Sequence, residues 1–239
     1  GAGIGGLTAA LRRATAGFTV DVIERAPGAG GKMRRVILDG KEIDAGPTVI
    51  TMRWVFDEIF ARAGVELDDH VTMERAQLIA RHAWEDGTTL DLFADRARSE
   101  DEIGRVFGAR AAADYLRFTE EAARIFAVVE APFLRSQAPT LGTMLRHVGS
   151  LGIGALARID AMRTMADALE RSFVEPRLRQ LFGRYATYCG SSPYEAPATF
   201  NLVAHVEAMG VHRVAGGVGA LAAALEGLGR RRGVRFRFG

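Results

Sequence analysis

Length, composition and charge exclude several classes of protein. The chain has 239 residues, of which 48% are apolar and 25% charged, a composition typical of a globular protein with one or two domains. Its 31 basic and 29 acidic residues leave a net charge of +2, which gives no reason to expect a nucleic acid as partner. One cysteine, Cys189, excludes an internal disulfide, and five scattered histidines show no zinc spacing, so we expect no metal. No apolar run reaches the ~18 residues of a membrane span.

The first elements in chain order predict a strand-helix-strand unit. Residues 5–16 are rich in Leu, Ala and Arg, follow a run of glycines and stop at Gly17, which predicts a helix. The sequence FTVDVIE at 18–24 predicts a strand. Asp39-Gly40 lies between two short extended runs and predicts a hairpin, and apolar spacing predicts a helix over 51–64.

The remaining elements predict that one domain is interrupted by another. A second hairpin is centred on Asp86-Gly87 within 81–93, and from about 99 to 210 the apolar spacing becomes helical. Residues 216–239 return to a glycine turn, a helix and a strand. We therefore predict a first domain in 1–66, a mainly helical region in 67–210 and a return to the first domain in 211–239. Because a glycine motif at residue 1 lacks its preceding strand, we also expect a fragment of a longer protein.

The glycines at the start match a dinucleotide-binding pattern. Gly1, Gly3 and Gly6 are spaced G-x-G-x-x-G at the beginning of the predicted helix. The first makes a tight turn, the second admits a pyrophosphate to backbone N–H groups, and the third lets the helix pack on its sheet. Glu24 ends the next predicted strand, where an acid binds a ribose 2′-hydroxyl. A solvated glutamate at a strand end is the alternative for Glu24.

Two further loops contain residues that suit a dinucleotide, but their sequence patterns are less specific. The sequence GGKMR at 30–34 would place flexible backbone and positive charge beside the same pyrophosphate, although an ordinary loop explains it equally well. The sequence DAGPT at 44–48 combines a carboxylate, a glycine and a proline after a hairpin, which in isolation favours a plain turn.

Together these motifs resemble a known family. GAGIGGLTAAL, VIE, GGKMR and IDAGPT, in this order, resemble the N-terminal half of the FAD-dependent amine oxidase and phytoene desaturase superfamily. The segments DAGPTVITMRWVFDEIF, ARHAWEDGTTLDLF, LFGRYATYCGSSPYEAPAT and HVEAMGVHRVAGGVGAL resemble bacterial carotenoid desaturases, in particular the hydroxyneurosporene and methoxyneurosporene desaturases. The resemblance covers essentially the whole chain. The strand before Gly1 and the C-terminal half of the family are absent.

The resemblance implies a fold and a cofactor. The expected fold is α/β, with a Rossmann-like FAD-binding domain of the amine oxidase (GR2) type and an inserted α+β, mainly helical substrate or cap domain. The first glycines would hold the FAD pyrophosphate and Glu24 the adenosine ribose, while 46–48 approach the isoalloxazine. Gly216 and Gly217 match the pair that returns the chain to the flavin domain. The implied cofactor-binding residues are Gly1, Gly3, Gly5, Gly6, Glu24, Arg25, Gly30, Gly31, Lys32, Arg34, Gly46, Pro47 and Thr48.

The resemblance also implies an FAD-dependent oxidoreductase that removes two hydrogens from a 1-hydroxy- or 1-methoxy-carotenoid at the 3,4 bond. The sequence assigns no catalytic base. Substrate-site candidates are Arg184, Tyr185, Tyr188 and Tyr194 in RYATYCGSSPY, together with His212 before the returning glycines. Core packing explains the tyrosines equally well, and a lone histidine is more often structural.

A carotenoid is nearly insoluble in water, so we expect peripheral contact with a membrane. Residues 125–139 and 151–165 join apolar residues to flanking arginines, as a surface at a membrane interface does, although packed cap helices are the alternative. We expect a bacterial, cytoplasmic protein associated peripherally with the inner or photosynthetic membrane, with a quinone or oxygen as electron acceptor.

Other functions fit the same fold. Within the superfamily, they are a phytoene-type desaturase with another regiochemistry and a carotenoid oxidase or isomerase. From a different class comes a flavin-free prenyl-lipid carrier, like the prenyl-Rab escort proteins. Glu24, the Gly30-Gly31 pair and Gly46 argue against a carrier, because a carrier needs no contacts to FAD.

Overall fold

The computed structural model describes residues 1–135 and 159–239, which divide into two compact units. The first unit contains residues 1–76 and 210–239, and the second lies within 77–209. The helices in chain order are α1 Ile4–Thr15, α2 Arg53–Arg62, α3 Arg96–Phe107, α4 Ala109–Val129, α5 Met165–Ser172, α6 Pro176–Gly183, α7 Val203–Ala208 and α8 Gly219–Arg231. The strands are β1 Asp21–Glu24, β2 Arg35–Leu38, β3 Lys41–Asp44, β4 Ile50–Thr51, β5 Met73–Arg75, β6 Leu78–Ala83, β7 Thr89–Phe93, β8 Val211–Val214 and β9 Arg235–Phe238.

The first unit is built around a parallel strand pair and two helices. β1 and β9 pair in parallel with Asp21 opposite Arg235, and α1 packs against α8. The apolar faces of the helices and strand form one core, in which Leu7, Leu11, Val22 and Leu221 are buried. The predicted first helix is confirmed. The predicted strand over 18–24 begins only at residue 21, because Gly17 and Phe18 still donate hydrogen bonds to carbonyls of α1.

The antiparallel strands of the first unit confirm the predicted hairpin and move one predicted domain boundary. The hairpin of β2 and β3 is confirmed, and its turn residues Asp39 and Gly40 both have positive φ, as a tight two-residue turn requires. β5 pairs with β8 in the antiparallel sheet β4-β8-β5. This pairing places 67–76 in the first unit, although the sequence assigned those residues to the helical region.

The second unit joins a hairpin to a helical core. β6 and β7 form the predicted hairpin around Asp86-Gly87, and α3 packs on β7 and α4. The centre of the core is aromatic: the ring of Phe182 lies 4.7 Å from that of Phe118 and 5.2 Å from that of Phe173. Such ring pairs contribute about 0.5–1.5 kcal/mol each beyond the area they bury. This core fixes α4 and α6 against each other.

The two segments expected at a membrane interface are described in part. In the first, Ile125, Phe126 and Val128 are buried at the end of α4, so these side chains belong to a core. Residues 136–139 of the first segment and 151–158 of the second lie outside the described residues. Among the described helices, none is long and apolar enough to cross a membrane.

Three glycines allow backbone segments of the first unit to approach closely. A Cβ on Gly6 would lie 1.9 Å from the carbonyl oxygen of Gly1, and a Cβ on Gly46 would lie 1.7 Å from that of Lys32. Gly31 has φ +58°, and its Cβ would lie 2.9 Å from the Cα of Gly3. Any side chain at these positions would force the backbone apart. The glycine turn, the 30–34 loop and the end of the β2-β3 hairpin are therefore packed backbone to backbone.

Gly46→Ala tests this packing. Because the added methyl would meet a carbonyl oxygen rather than a flexible side chain, we expect the variant to be destabilised by about 2 kcal/mol or more in urea unfolding. Gly227→Ala is the matched control, since a Cβ there makes an ordinary 3.7 Å contact within α8. The control should be as stable as the wild type or up to about 1 kcal/mol more stable. Equal stability of Gly46→Ala and the wild type would show that the close approach is not real.

Candidate functional site

The N-terminus of α1 is open to an anion. Gly3 is its N-cap residue, no side chain caps it, and no acidic residue stands in its first turn. The first N–H groups of a helix carry partial positive charge and lack partners within the helix. An uncapped helix start behind a glycine turn is therefore suited to bind a phosphate group.

Glu24 ends β1 beside this turn. Its carboxylate accepts hydrogen bonds from the backbone N–H of Ala26 at 2.8 Å and of Ala2 at 2.7 Å. These two N–H groups hold the pKa of Glu24 below its usual value, because they stabilise the ionised carboxylate. The Oε2 atom of Glu24 lies 3.8 Å from the position that a Cβ on Gly1 would occupy. The structure thus brings the acid expected at the ribose next to the glycine turn expected at the pyrophosphate.

The 30–34 loop lies against the same turn. The N–H of Gly30 donates to the carbonyl of Ala2 at 2.8 Å, and Gly3 and Gly30 form a parallel bridge. The side chains of Lys32 and Arg34 are exposed on this loop. Cations and glycine backbone therefore lie beside the start of α1. The other predicted cofactor residues, Gly5, Arg25, Pro47 and Thr48, are exposed.

Asp44 links the DAGPT segment to the returning helix. Its carboxylate accepts hydrogen bonds from the N–H groups of Val218 at 2.7 Å and Gly219 at 3.1 Å. A Cβ on Gly217 would lie 2.3 Å from the same carboxylate, so glycine is required there. Arg35 donates to the carbonyl of Gly216. Asp44 thus caps α8 from a distant part of the chain.

Sequence reasoning missed this role of Asp44. The helix that begins at Gly219 has no Ser, Thr, Asp or Asn directly before it. The free N–H groups at the start of such a helix need an acceptor from elsewhere in the chain, and this need was the signal that could have indicated a remote carboxylate.

These residues together fit FAD. An uncapped helix start, glycine backbone and two exposed cations suit the two phosphates, and a carboxylate at the end of β1 suits a ribose diol. A cavity of about 420 Å³ in the same unit lies between residues of 26–35, Arg34 among them, and α8; the start of α1 and Glu24 do not line it. Among the described residues, no group of three or more His, Cys, Asp or Glu side chains is placed to hold a metal ion.

A second polar cluster lies in the second unit and is centred on Glu207. This buried carboxylate accepts hydrogen bonds from the hydroxyls of Tyr185 at 2.8 Å and Tyr188 at 2.9 Å, and from Nη2 of Arg184 at 3.0 Å. The structure therefore brings together three of the five predicted substrate-site residues. The hub Glu207 was missed as a candidate, although an acid inside the apolar run NLVAHVEAMGV is a signal of a buried carboxylate.

The cluster changes the acidity of its members. Burial, followed by the negative charge of Glu207, raises the pKa of Tyr188 to about 12. The same causes raise the pKa of the fully buried Tyr185 well above its usual value. Burial and the Arg184 cation lower the pKa of His82. Both tyrosines and His82 are therefore neutral at neutral pH.

The other two predicted residues stand apart from this cluster. Tyr194 is 76% exposed in the second unit. His212 is buried in β8 of the first unit, where its Nδ1 finds no hydrogen-bond partner among the described residues. Burial, then the cations of Arg53 and Arg75, lower the pKa of His212. His212 is therefore a neutral, buried side chain.

Comparison with known proteins gives a family and relatives for this chain. Residues 4–239 match the family described as flavin containing amine oxidoreductase. The chain is 48% identical over its whole length to a hydroxyneurosporene desaturase of Rubrivivax gelatinosus, of which it covers 46%. It is 33% identical over 99% of its length to a 4,4'-diapolycopene oxygenase of a Methylomonas species, of which it covers 47%. The chain thus spans about half the length of these relatives.

A solved structure shares the fold. An oxidoreductase from Methanosarcina mazei superposes on the whole chain with a TM-score of 0.61 at 16% identity, and the chain covers 50% of it. This confirms the α/β fold class predicted from the motifs. FAD is the cofactor that the matched family and the glycine turn, Glu24 and the exposed cations together indicate. Because the family match extends over almost the entire chain, the chain belongs to the flavin-containing amine oxidoreductase family.

Proposed function

We propose that the protein uses FAD to desaturate an acyclic 1-hydroxy- or 1-methoxy-carotenoid at its 3,4 bond. The observation that carries this proposal is the 48% identity with a hydroxyneurosporene desaturase over the whole chain. The glycine turn, Glu24 and the 30–34 loop, which carry the resemblance to this superfamily, lie together at the start of α1. Glu24, the Gly30-Gly31 pair and Gly46 favour an enzyme over a carrier on the same fold, because a carrier needs no contacts to FAD.

The reaction removes one hydrogen from each of two adjacent carbons and leaves a double bond between them. FAD, when bound, accepts one of these hydrogens together with both electrons, and the other leaves as a proton. The residues of the first unit would contribute by binding: the start of α1 and the 30–34 loop would hold the phosphates, and Glu24 would hold the ribose. Asp44 keeps α8 against the loop that carries the cations.

The solubility of the proposed substrate also favours a location at a membrane and an electron acceptor available there. Because a carotenoid dissolves in lipid rather than water, the protein takes it from a bilayer as a peripheral membrane protein. We place it on the cytoplasmic side of the inner or photosynthetic membrane of a bacterium. A membrane quinone or oxygen then removes the electrons.

A second candidate function is oxygenation of a carotenoid end. The 33% identity with a 4,4'-diapolycopene oxygenase favours it. The two reactions are distinguished by their products, since desaturation lowers the mass of the carotenoid by two hydrogens and oxygenation adds oxygen.

The test supplies the complete gene product, in membranes, with 1-hydroxyneurosporene and with phytoene. We expect flavin absorbance in the purified protein and a product that has lost two hydrogens from the hydroxylated carotenoid. The kcat/KM for it should exceed that for phytoene by at least about tenfold, the factor that one well-made hydrogen bond supplies.

Each other outcome contradicts the proposal in a different way. Conversion of phytoene alone would indicate a phytoene-type desaturase. A product with added oxygen would indicate an oxygenase. A protein without flavin that converts neither carotenoid would indicate a carrier.

A further inference from the structure

Three helices of the first unit end at the same edge of its parallel strand pair. β1 and β9 begin side by side, and the N–H of Arg235 donates to the carbonyl of Val20 at 3.0 Å. Because α1 leads into β1 and α8 leads into β9, both helices end at this edge. Arg232, at the end of α8, donates a hydrogen bond to the carbonyl of Ala63, which ends α2. β1 finishes at Glu24 on the opposite edge, beside the glycine turn.

Exposed arginines stand at these three helix ends, and we call them the arginine patch. Its members are Arg12 and Arg13 of α1, Arg62 of α2, and Arg231 and Arg232 at the end of α8. None of them forms an ion pair with a described residue. Two exposed acids of the segment after α2, Glu66 and Asp69, are unpaired as well. Against five arginines they leave an excess of three positive charges.

The helix dipole accounts for arginines at helix ends but not for their lack of acidic partners. A cation near the last carbonyls of a helix is favourable whether or not an acid binds it. Many arginines elsewhere on the described surface pair with a carboxylate, as Arg81 does with Asp91. Even Arg230, which precedes the patch directly in the chain, pairs with Glu226. Clustered guanidinium groups without such partners attract an anionic surface, because no neighbouring charge cancels their field.

An exposed aromatic side chain lies beside the patch. Phe18 is 58% exposed in the turn between α1 and β1. Its N–H donates to the carbonyl of Arg13 at 3.1 Å, and the guanidinium of Arg13 lies 5.4 Å from the centre of its ring. Aromatic rings flanked by cations suit a membrane interface, where the ring enters the apolar boundary and the cations meet the phosphates of the lipids. A nucleic acid duplex would bind the arginines but would leave Phe18 in water.

We propose that the arginine patch and Phe18 dock the protein on a bilayer that contains anionic phospholipids. The guanidinium groups bind the phosphates of the headgroups, and the ring of Phe18 enters the boundary between headgroups and acyl chains. This surface differs from the two segments, 125–139 and 151–165, that the sequence indicated. The choice of a bilayer as partner rests on the proposed function, since a carotenoid is taken up from lipid. The docking itself needs neither FAD nor turnover, and it concerns the first unit alone.

The test is co-sedimentation of the complete gene product with vesicles of phosphatidylglycerol and phosphatidylcholine, and with vesicles of phosphatidylcholine alone. We expect binding to the anionic vesicles that weakens as the salt concentration rises. The triple variant Arg12→Gln, Arg13→Gln, Arg231→Gln should bind them about a hundredfold more weakly, at about fivefold for each arginine removed. Lysine at the same three positions should keep most of the affinity, because the bilayer attracts the charge. Phe18→Ala should bind about tenfold more weakly, by an amount that salt does not change.

A matched triple variant removes the same charge elsewhere. Arg81→Gln, Arg105→Gln, Arg124→Gln changes exposed arginines of the second unit and should bind the vesicles like the wild type. Urea unfolding checks that every variant is folded, and the midpoints should stay close to that of the wild type because exposed charges contribute little to stability.

The outcomes separate the docking surface from the proposed function. Absence of vesicle binding by the wild type, wild-type affinity in the glutamine variant of the patch or in Phe18→Ala, or an equal loss in both glutamine variants would overturn the inference. Tighter binding to a DNA duplex than to anionic vesicles would also overturn it and assign the patch to a nucleic acid. Vesicle binding through the patch without turnover of any carotenoid would leave the inference standing and contradict the proposed function instead.

Discussion

Close backbone contact at three glycines is the constraint on which the first unit depends. Gly6, Gly31 and Gly46 come from a helix start, a loop and a hairpin end, and each lies where a Cβ would meet backbone atoms at less than 3 Å. Backbone N–H groups can only converge on a phosphate if no side chains separate them, so the contacts that fold the unit also suit the FAD site that we propose. Under that proposal, stability and cofactor binding both require glycine at these positions.

The second unit is organised by a buried charge instead of by backbone contact. Glu207 is 5% exposed, yet it is fully hydrogen-bonded by an arginine and two tyrosines. Removing one partner of such a pair leaves an uncompensated buried charge, which is strongly unfavourable. The requirement to satisfy Glu207 therefore fixes the guanidinium of Arg184 and the hydroxyls of Tyr185 and Tyr188 around it.

Local sequence patterns predicted those elements whose formation depends on residues close together in the chain. Gly17 after an apolar helix and Asp39-Gly40 between extended runs predicted α1 and the first hairpin, because each signal acts within a few residues. Contacts between distant residues gave no such signal. Asp44 caps a helix 174 positions further along the chain, and β1 pairs with β9 near the opposite end of the sequence. The hub Glu207 was missed for the same reason, since its partners Arg184, Tyr185 and Tyr188 come from the segment after α6 and meet it through packing and not through sequence spacing.

The central claim is that the glycine segments and Glu24 form one FAD site. The most direct test measures FAD bound to the complete gene product by flavin absorbance during titration with FAD. Glu24→Gln replaces one carboxylate oxygen with an NH2 group, which cannot accept a hydrogen bond, and removes the negative charge, so we expect its FAD affinity to fall about tenfold or more. Glu66→Gln, at an exposed position of the same unit, should bind FAD like the wild type. FAD binding by Glu24→Gln equal to that of the wild type would contradict the account.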